Sequence, residues 1–143
     1  VNHLEGTKTV AKLSASVATS ATHSHEIDTY GYDYASIDVV YSPFATATSA
    51  YASVLKLQQS DSSGSAQADV SGFSVAAGAG STTGASVGAV ARFNVDLRGK
   101  KRYLTVVTTP GNSAAVASVA RLSKGEEMPT TAAQAGVNNY VSG

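Results

Sequence analysis

Apolar side chains recur at every second position along much of this chain, the spacing of strands that bury one face. Ile37, Val39 and Tyr41 alternate with Asp38 and Val40, and Leu55 and Leu57 alternate with Lys56 and Gln58. Phe93, Val95 and Leu97 alternate with Arg92, Asn94 and Asp96. Residues 103–109 are rich in β-branched and aromatic side chains, which suit a pleated, half-buried surface. Further strands are predicted over residues 9–17, 26–30, 69–75 and 114–122. No long segment carries a helical period.

The connectors carry turn chemistry. Asp61-Ser62-Ser63-Gly64-Ser65 separates two strand patterns and reads as a hairpin loop. Arg98-Gly99-Lys100 reads as a tight hairpin turn between the Phe93 and Tyr103 strands. Pro110-Gly111-Asn112 reads as a turn into the next strand. Short strands at this spacing predict an all-β fold, a small antiparallel β-barrel or sandwich with extended termini, rather than alternating βα units. Residues 1–123 are expected to form a single β domain, its N-terminal part a candidate arm. Residues 124–143, with Pro129, scattered Gly and few large apolar side chains, are expected to form an extended C-terminal tail. Residues 78–88 contain little but Gly, Ala, Ser, Thr and Val, and read as a loop or as a segment that packs flat on a neighbour.

Composition narrows the function. A chain of 143 residues fits one domain and buries roughly two-thirds of its unfolded surface without staples. It has no cysteine, which removes thiol catalysis, thiolate metal sites and disulfides together and agrees with folding in a reducing cytosol. Formal net charge is zero and only 14% of residues are charged, against about 25% in ordinary soluble domains. Near-neutrality favours association, so a homo-oligomer is expected. No run reaches the ~18 apolar residues of a membrane span, so no membrane partner is expected. Residues 1–6 lack the basic start and apolar run of a secretory signal.

Each candidate for chemistry has a plainer reading. Gly84-Ala85-Ser86-Val87-Gly88 matches a nucleophile elbow, but a loop precedes it, a strand follows it, and His3, His23 and His25 all come earlier in the chain. No catalytic residue is expected. His23-Ser24-His25 puts two imidazoles on one face of a strand, the best metal candidate, yet zinc needs three or four ligands. No metal or cofactor is expected, and the histidines read as solvated or interfacial. Asp28, Asp33 and Asp38 are interleaved with Tyr30, Tyr32 and Tyr34 around Gly31, without the spacing of a calcium loop. They read as a glycine turn with tyrosines at an interface, and with Asp38 capping or pairing across strands. Arg98, Lys100, Lys101 and Arg102 form the densest charge cluster, but the chain as a whole lacks the basic footprint of a nucleic-acid binder. The acids that balance this cluster belong either to a partner, the reading preferred here, or to Asp96 and other acids of the same sheet.

Two segments carry a resemblance: Asp28-Thr29-Tyr30-Gly31-Tyr32-Asp33-Tyr34-Ala35-Ser36-Ile37-Asp38-Val39 and Phe93-Asn94-Val95-Asp96-Leu97-Arg98-Gly99-Lys100-Lys101-Arg102-Tyr103-Leu104. With the strand pair near residues 55–75 they cover about half the chain. They resemble small virion structural proteins of tailed bacteriophages, and within that set the head decoration, or cement, proteins. The resemblance implies a non-enzymatic β-barrel or sandwich, a homotrimer, on the capsid exterior. There it would bind the major capsid protein and stabilise the shell, after assembly in the host bacterial cytoplasm. Arg98, Lys100, Lys101, Arg102, Tyr30, Tyr32 and Tyr34 would then be protein-interface residues. Other readings are a tail, baseplate or head–tail joining protein, or a glycan-binding surface module that uses the tyrosines near Gly31.

The patterning predicts an almost purely β far-UV circular dichroism spectrum and a melting temperature that chelator leaves unchanged. A substantial helical signal, or a chelator-dependent loss of stability, would contradict it.

Overall fold

A computed structural model of the protein describes residues 6–45, 50–75, 88–126 and 129–139. Eight strands follow one another: β1 (Lys8–Val17), β2 (His23–Asp28), β3 (Tyr32–Tyr41), β4 (Ala52–Ser60), β5 (Ala68–Val75), β6 (Ala89–Asp96), β7 (Tyr103–Pro110) and β8 (Ala114–Gly125). All of them overlap a segment that the sequence predicts to be a strand. β2 lies upstream of its predicted position because the chain turns just beyond it. The Asp28 carboxylate accepts the Tyr30 N–H at 3.1 Å, the Thr29 carbonyl accepts the Tyr32 N–H at 3.1 Å, and Gly31 closes the turn at φ +84°, where a side chain would be strained.

The strands form two antiparallel four-stranded sheets, ordered β1-β8-β3-β6 and β2-β7-β4-β5. Only β4 and β5 are sequential neighbours within one sheet; every other connection crosses from one sheet to the other. Eight strands in this order form a jelly roll, two Greek keys folded into a sandwich. The sheets remain two open layers, so the sandwich alternative holds and the barrel does not. Asp61–Ser65 is the hairpin loop that its sequence predicts, between β4 and β5. The turn at 98–102 corrects its prediction: β6 and β7 lie in different sheets, so it is a bridge between layers and not a hairpin. Alternation along a strand says which face is buried but not which sheet the next strand joins.

Between the layers lie Ile27, Ile37, Val39, Leu55, Leu57, Leu104, Val106, Val116 and Leu122, all buried. Phe73 meets the edge of Phe93 with ring centroids 6.0 Å apart. Polar bonds also cross the gap. Thr108 donates to the Val54 carbonyl at 2.8 Å, which leaves its oxygen to accept the Tyr41 hydroxyl at 2.6 Å. Burial pushes the Tyr41 phenol up to about 12.

The histidines of β2 are neither solvated nor interfacial, which corrects the sequence reading. His23 and His25 are 1% and 4% exposed and point into the sandwich. Ser14 Oγ lies 2.7 Å from His23 Nδ1, His23 Nε2 lies 3.0 Å from Ser118 Oγ, and Ser118 Oγ lies 2.6 Å from His25 Nδ1. Ser118 has one proton to give, so it donates to one imidazole and accepts from the other, which fixes complementary neutral tautomers. The chain of bonds ties β2 of one sheet to β1 and β8 of the other. Among the described residues no three potential ligands gather around a metal position.

The described part of the tail, residues 129–139, is wound into turns rather than extended. Its Ala135 carbonyl accepts the Thr9 N–H at 2.8 Å, so it satisfies part of the free edge of β1 and blunts that edge against further pairing. Gly136, at φ +72°, touches the Thr9 backbone so closely that a Cβ would collide with the Thr9 carbonyl. Residues 76–87 fall outside the described residues, and with them most of the Gly-rich stretch and Ser86 of the elbow-like pentapeptide.

The buried histidines set an acid limit on the fold. Burial, then the neighbouring His23 and Lys12, lower His25 from 6.5 to about 4, and burial also lowers His23. At His25 the unfolded chain takes up its proton near pH 6.5 while the fold refuses it until about 4. Stability is therefore fully present above pH 6.5 and falls as pH drops through that window, by about 3 kcal/mol for His25. Urea midpoints measured from pH 7.5 to 4.5 should decline, and His25→Gln should flatten the slope while lowering the plateau. A flat wild-type profile would show that the imidazoles are solvated after all.

Candidate functional site

Strands β2, β4 and β6 all run toward one end of the sandwich, and the turns that follow them lie together there. Pairing places Asp28 and Ser60 on either side of Tyr103, and Asp96 beside Tyr34. The fold thus gathers the tyrosines of the β2–β3 turn and the cations of the β6–β7 turn, which the sequence separates by about 70 residues.

Arg102 is the centre of this group. Its Nε and Nη2 donate to the two Asp28 carboxylate oxygens at 2.9 and 2.8 Å, a bidentate fork. The guanidinium lies 4.8 Å from the Tyr30 ring centroid and 5.0 Å from that of Tyr103, so it faces both rings. Its carbonyl accepts the Thr29 N–H at 3.0 Å and the Thr29 hydroxyl at 2.5 Å, fixing the β2–β3 turn to the β6–β7 turn. Arg98 repeats the design. It forks onto Asp96 at 3.0 and 2.8 Å, receives further hold from its own N–H on Asp96 at 3.0 Å, and stands 5.1 Å over the Tyr34 ring. The hydrogen-bonded Arg98 guanidinium holds the Asp96 carboxyl down to about 2, and Arg102 lowers Asp28 in the same way.

Three of the four cations therefore take their acids from the chain itself: Arg98 from Asp96, Lys101 from Asp61 at 2.9 Å, and Arg102 from Asp28. Of the two sources left open by the sequence, the intrachain one supplies these three. Lys100 makes no ion pair among the described residues. The tyrosines differ in placement. Tyr30 is 73% exposed, Tyr34 is half-buried under Arg98 and Lys124, and Tyr32 packs against the core. Tyr30, Gly31, Tyr32 and Glu126 line a shallow open depression. Asp38, expected to cap or pair across strands, forks onto Arg92 of the adjacent strand at 2.6 and 3.1 Å.

Sequence reasoning missed Asp61, Lys124 and Glu126 as members of this group. Asp61 arrives from the β4–β5 turn and the other two from the end of β8, so no local spacing announces them. The assembly is a rigid, exposed, mixed aromatic and cationic surface, the side-chain chemistry enriched in protein interfaces. It holds no nucleophile–base pair among the described residues.

No protein-family model matches the chain, and no curated protein matches it. Among solved structures it is similar to the coat protein of tobacco streak virus, with 7% identity, 88% of this chain and 91% of that chain covered, and a TM-score of 0.36.

Because these ion pairs are exposed, they orient the turns more than they stabilise the fold. Arg102→Met should leave the melting temperature within about 4 °C of wild type, while amide exchange at residues 29–31 accelerates about tenfold as the turn loses its anchor. A melting loss as large as that of a core truncation such as Leu57→Ala, about 2–5 kcal/mol, would show that the cluster holds the sandwich together.

Proposed function

We propose that this chain is a non-enzymatic virion structural protein that decorates and stabilises a capsid shell, with the turn end carrying the contact to the shell protein. The strand order carries the reading: the eight-stranded jelly roll is an architecture of viral capsid proteins, shared with lectin domains and cupins. One fold hosts all three roles, and the residues choose among them. The interior is filled by aliphatic and aromatic side chains and a hydrogen-bonded histidine chain rather than left as a small-molecule chamber, which speaks against an enzyme. What the molecule presents outward is protein-interface chemistry, Tyr30 exposed above Arg102, with Lys100 on the same β6–β7 turn as Arg102. A rigid contact of this kind, repeated over many copies on a shell, gains strength from avidity rather than from any single site.

A second reading rests on the depression lined by Tyr30, Gly31, Tyr32 and Glu126, where a sugar ring would stack on Tyr30 and hydrogen-bond to the carboxylate. A glycan array separates the two, since a lectin binds selected glycans and a shell clamp binds none.

The direct test is cosedimentation with shells assembled from the capsid proteins encoded beside this chain in its genome. The wild type should sediment with them, and Tyr30→Ala with Lys100→Ala should weaken attachment about tenfold at low salt and less at high salt, where the Lys100 charge is screened, with folding intact. A chain that stays in the supernatant of intact shells, and is absent from purified particles, would refute the proposal.

A further inference from the structure

The outer face of the β1-β8-β3-β6 sheet is graded from apolar at one end to charged at the other. Register pairs Leu13 with Ala117, Ala117 with Val40, and Val40 with Val90, so these four side chains form one row across all four strands. Leu13 is 72% exposed, Val90 66% and Val40 38%, three of the five large apolar side chains left exposed among the described residues. The next row is Ala11, Val119, Asp38 and Arg92, and the one after it Thr9, Arg121, Ser36 and Asn94. The row nearest the turn end holds Tyr34 and Asp96. A cross-strand row of Leu, Ala, Val and Val, most exposed at its two ends, is the side chain set of a buried sheet face, not of a solvated one.

We infer that this face packs against the same face of a second copy of the chain, about a two-fold axis. Charge argues for a like partner. The face has no field of one sign to draw a nucleic acid or an anionic membrane, because Asp38 and Arg92 fork onto each other on neighbouring strands. A two-fold axis along the strands between β8 and β3 sets Leu13 against Val90 of the other copy and Ala117 against Val40, with no charge facing its like, as an isologous contact requires. Shape agrees. Ala11, Ala117, Ser36 and Thr9 are short, so two such faces can approach to the ~10 Å of stacked sheets. Area sets the strength. Four strands about 4.8 Å apart and the three rows clear of the turn end, about 6.7 Å apart, span roughly 390 Å² per copy in plan, so about 770 Å² for the pair before side-chain relief is added. That falls short of the ~1,000 Å² of a tight specific interface and fits a weak, micromolar contact. The inference stands apart from the virion reading, since it concerns self-association alone.

Sedimentation equilibrium between about 1 and 100 µM should give a dimer with a dissociation constant in that range. Leu13→Asp and Val90→Asp should each raise the constant at least about tenfold, and together abolish the dimer, with far-UV spectra unchanged. Val54→Asp, on the outer face of the other sheet and as exposed as Val40, should leave the dimer intact. A monomer throughout the range overturns the inference, as does an oligomer indifferent to both sheet-face substitutions. A trimer that these substitutions break overturns the two-fold arrangement. A monomer that attaches to shells through Val90 overturns the second copy as the occupant and gives the face to the shell protein.

Discussion

The strand β8 is the constraint on which the sandwich rests. It hydrogen-bonds along both edges, to β1 on one side and to β3 on the other, and so brings residues from the start, the middle and the end of the chain into one sheet. Its inward positions are Val116, Ser118, Ala120 and Leu122, all buried. A one-residue slip against either neighbour would turn that whole set to water. Such non-local pairing costs chain entropy before any contact repays it, which makes this a slow-folding topology by nature. Ser118 occupies the point where the cost is greatest to get wrong. It is a buried hydroxyl that satisfies two buried imidazoles from the opposite sheet, and a buried polar group without a partner loses about 1–3 kcal/mol. The same bonds that close the open side of the sandwich also give it a preferred register.

The strands were legible because a half-buried sheet writes its period into the sequence. Phe93, Val95 and Leu97 could not have alternated with Arg92, Asn94 and Asp96 for any other simple reason. The layering was not legible. A period of two reports that one face is buried, and it says the same whether the next strand joins the same sheet or the opposite one, so the 98–102 bridge reads as a hairpin. The histidines misled for a related cause. A His-Ser-His strand start looks solvated because its partners, Ser14 and Ser118, are polar residues of ordinary appearance nine and ninety-five positions away.

The turn cluster was half legible. Local chemistry pointed to the tyrosines around Gly31 and to the four cations, and the fold does place them at one end. What the sequence could not say is where their counter-charges lie. Asp28 and Asp61 reach Arg102 and Lys101 only because β2, β4 and β6 end side by side. Once neutralised within the chain, Arg98 and Arg102 no longer need an acidic partner, and the feature they offer outward becomes geometry as much as charge: tyrosine rings held in place beside the guanidinium groups.

That change matters for how copies could build a larger structure. On β3 the exposed apolar row passes through Val40, while the aromatic and cationic group reaches that strand at Tyr34. Six residues of extended chain separate them by about 20 Å. A protein with one adhesive patch makes a closed pair and stops. One with two patches that far apart can hold a sister copy at one end while the other end stays free for a different surface. The pair then presents two turn ends at a fixed spacing, and a bivalent contact holds far more tightly than either half alone provided the spacing matches the surface below it.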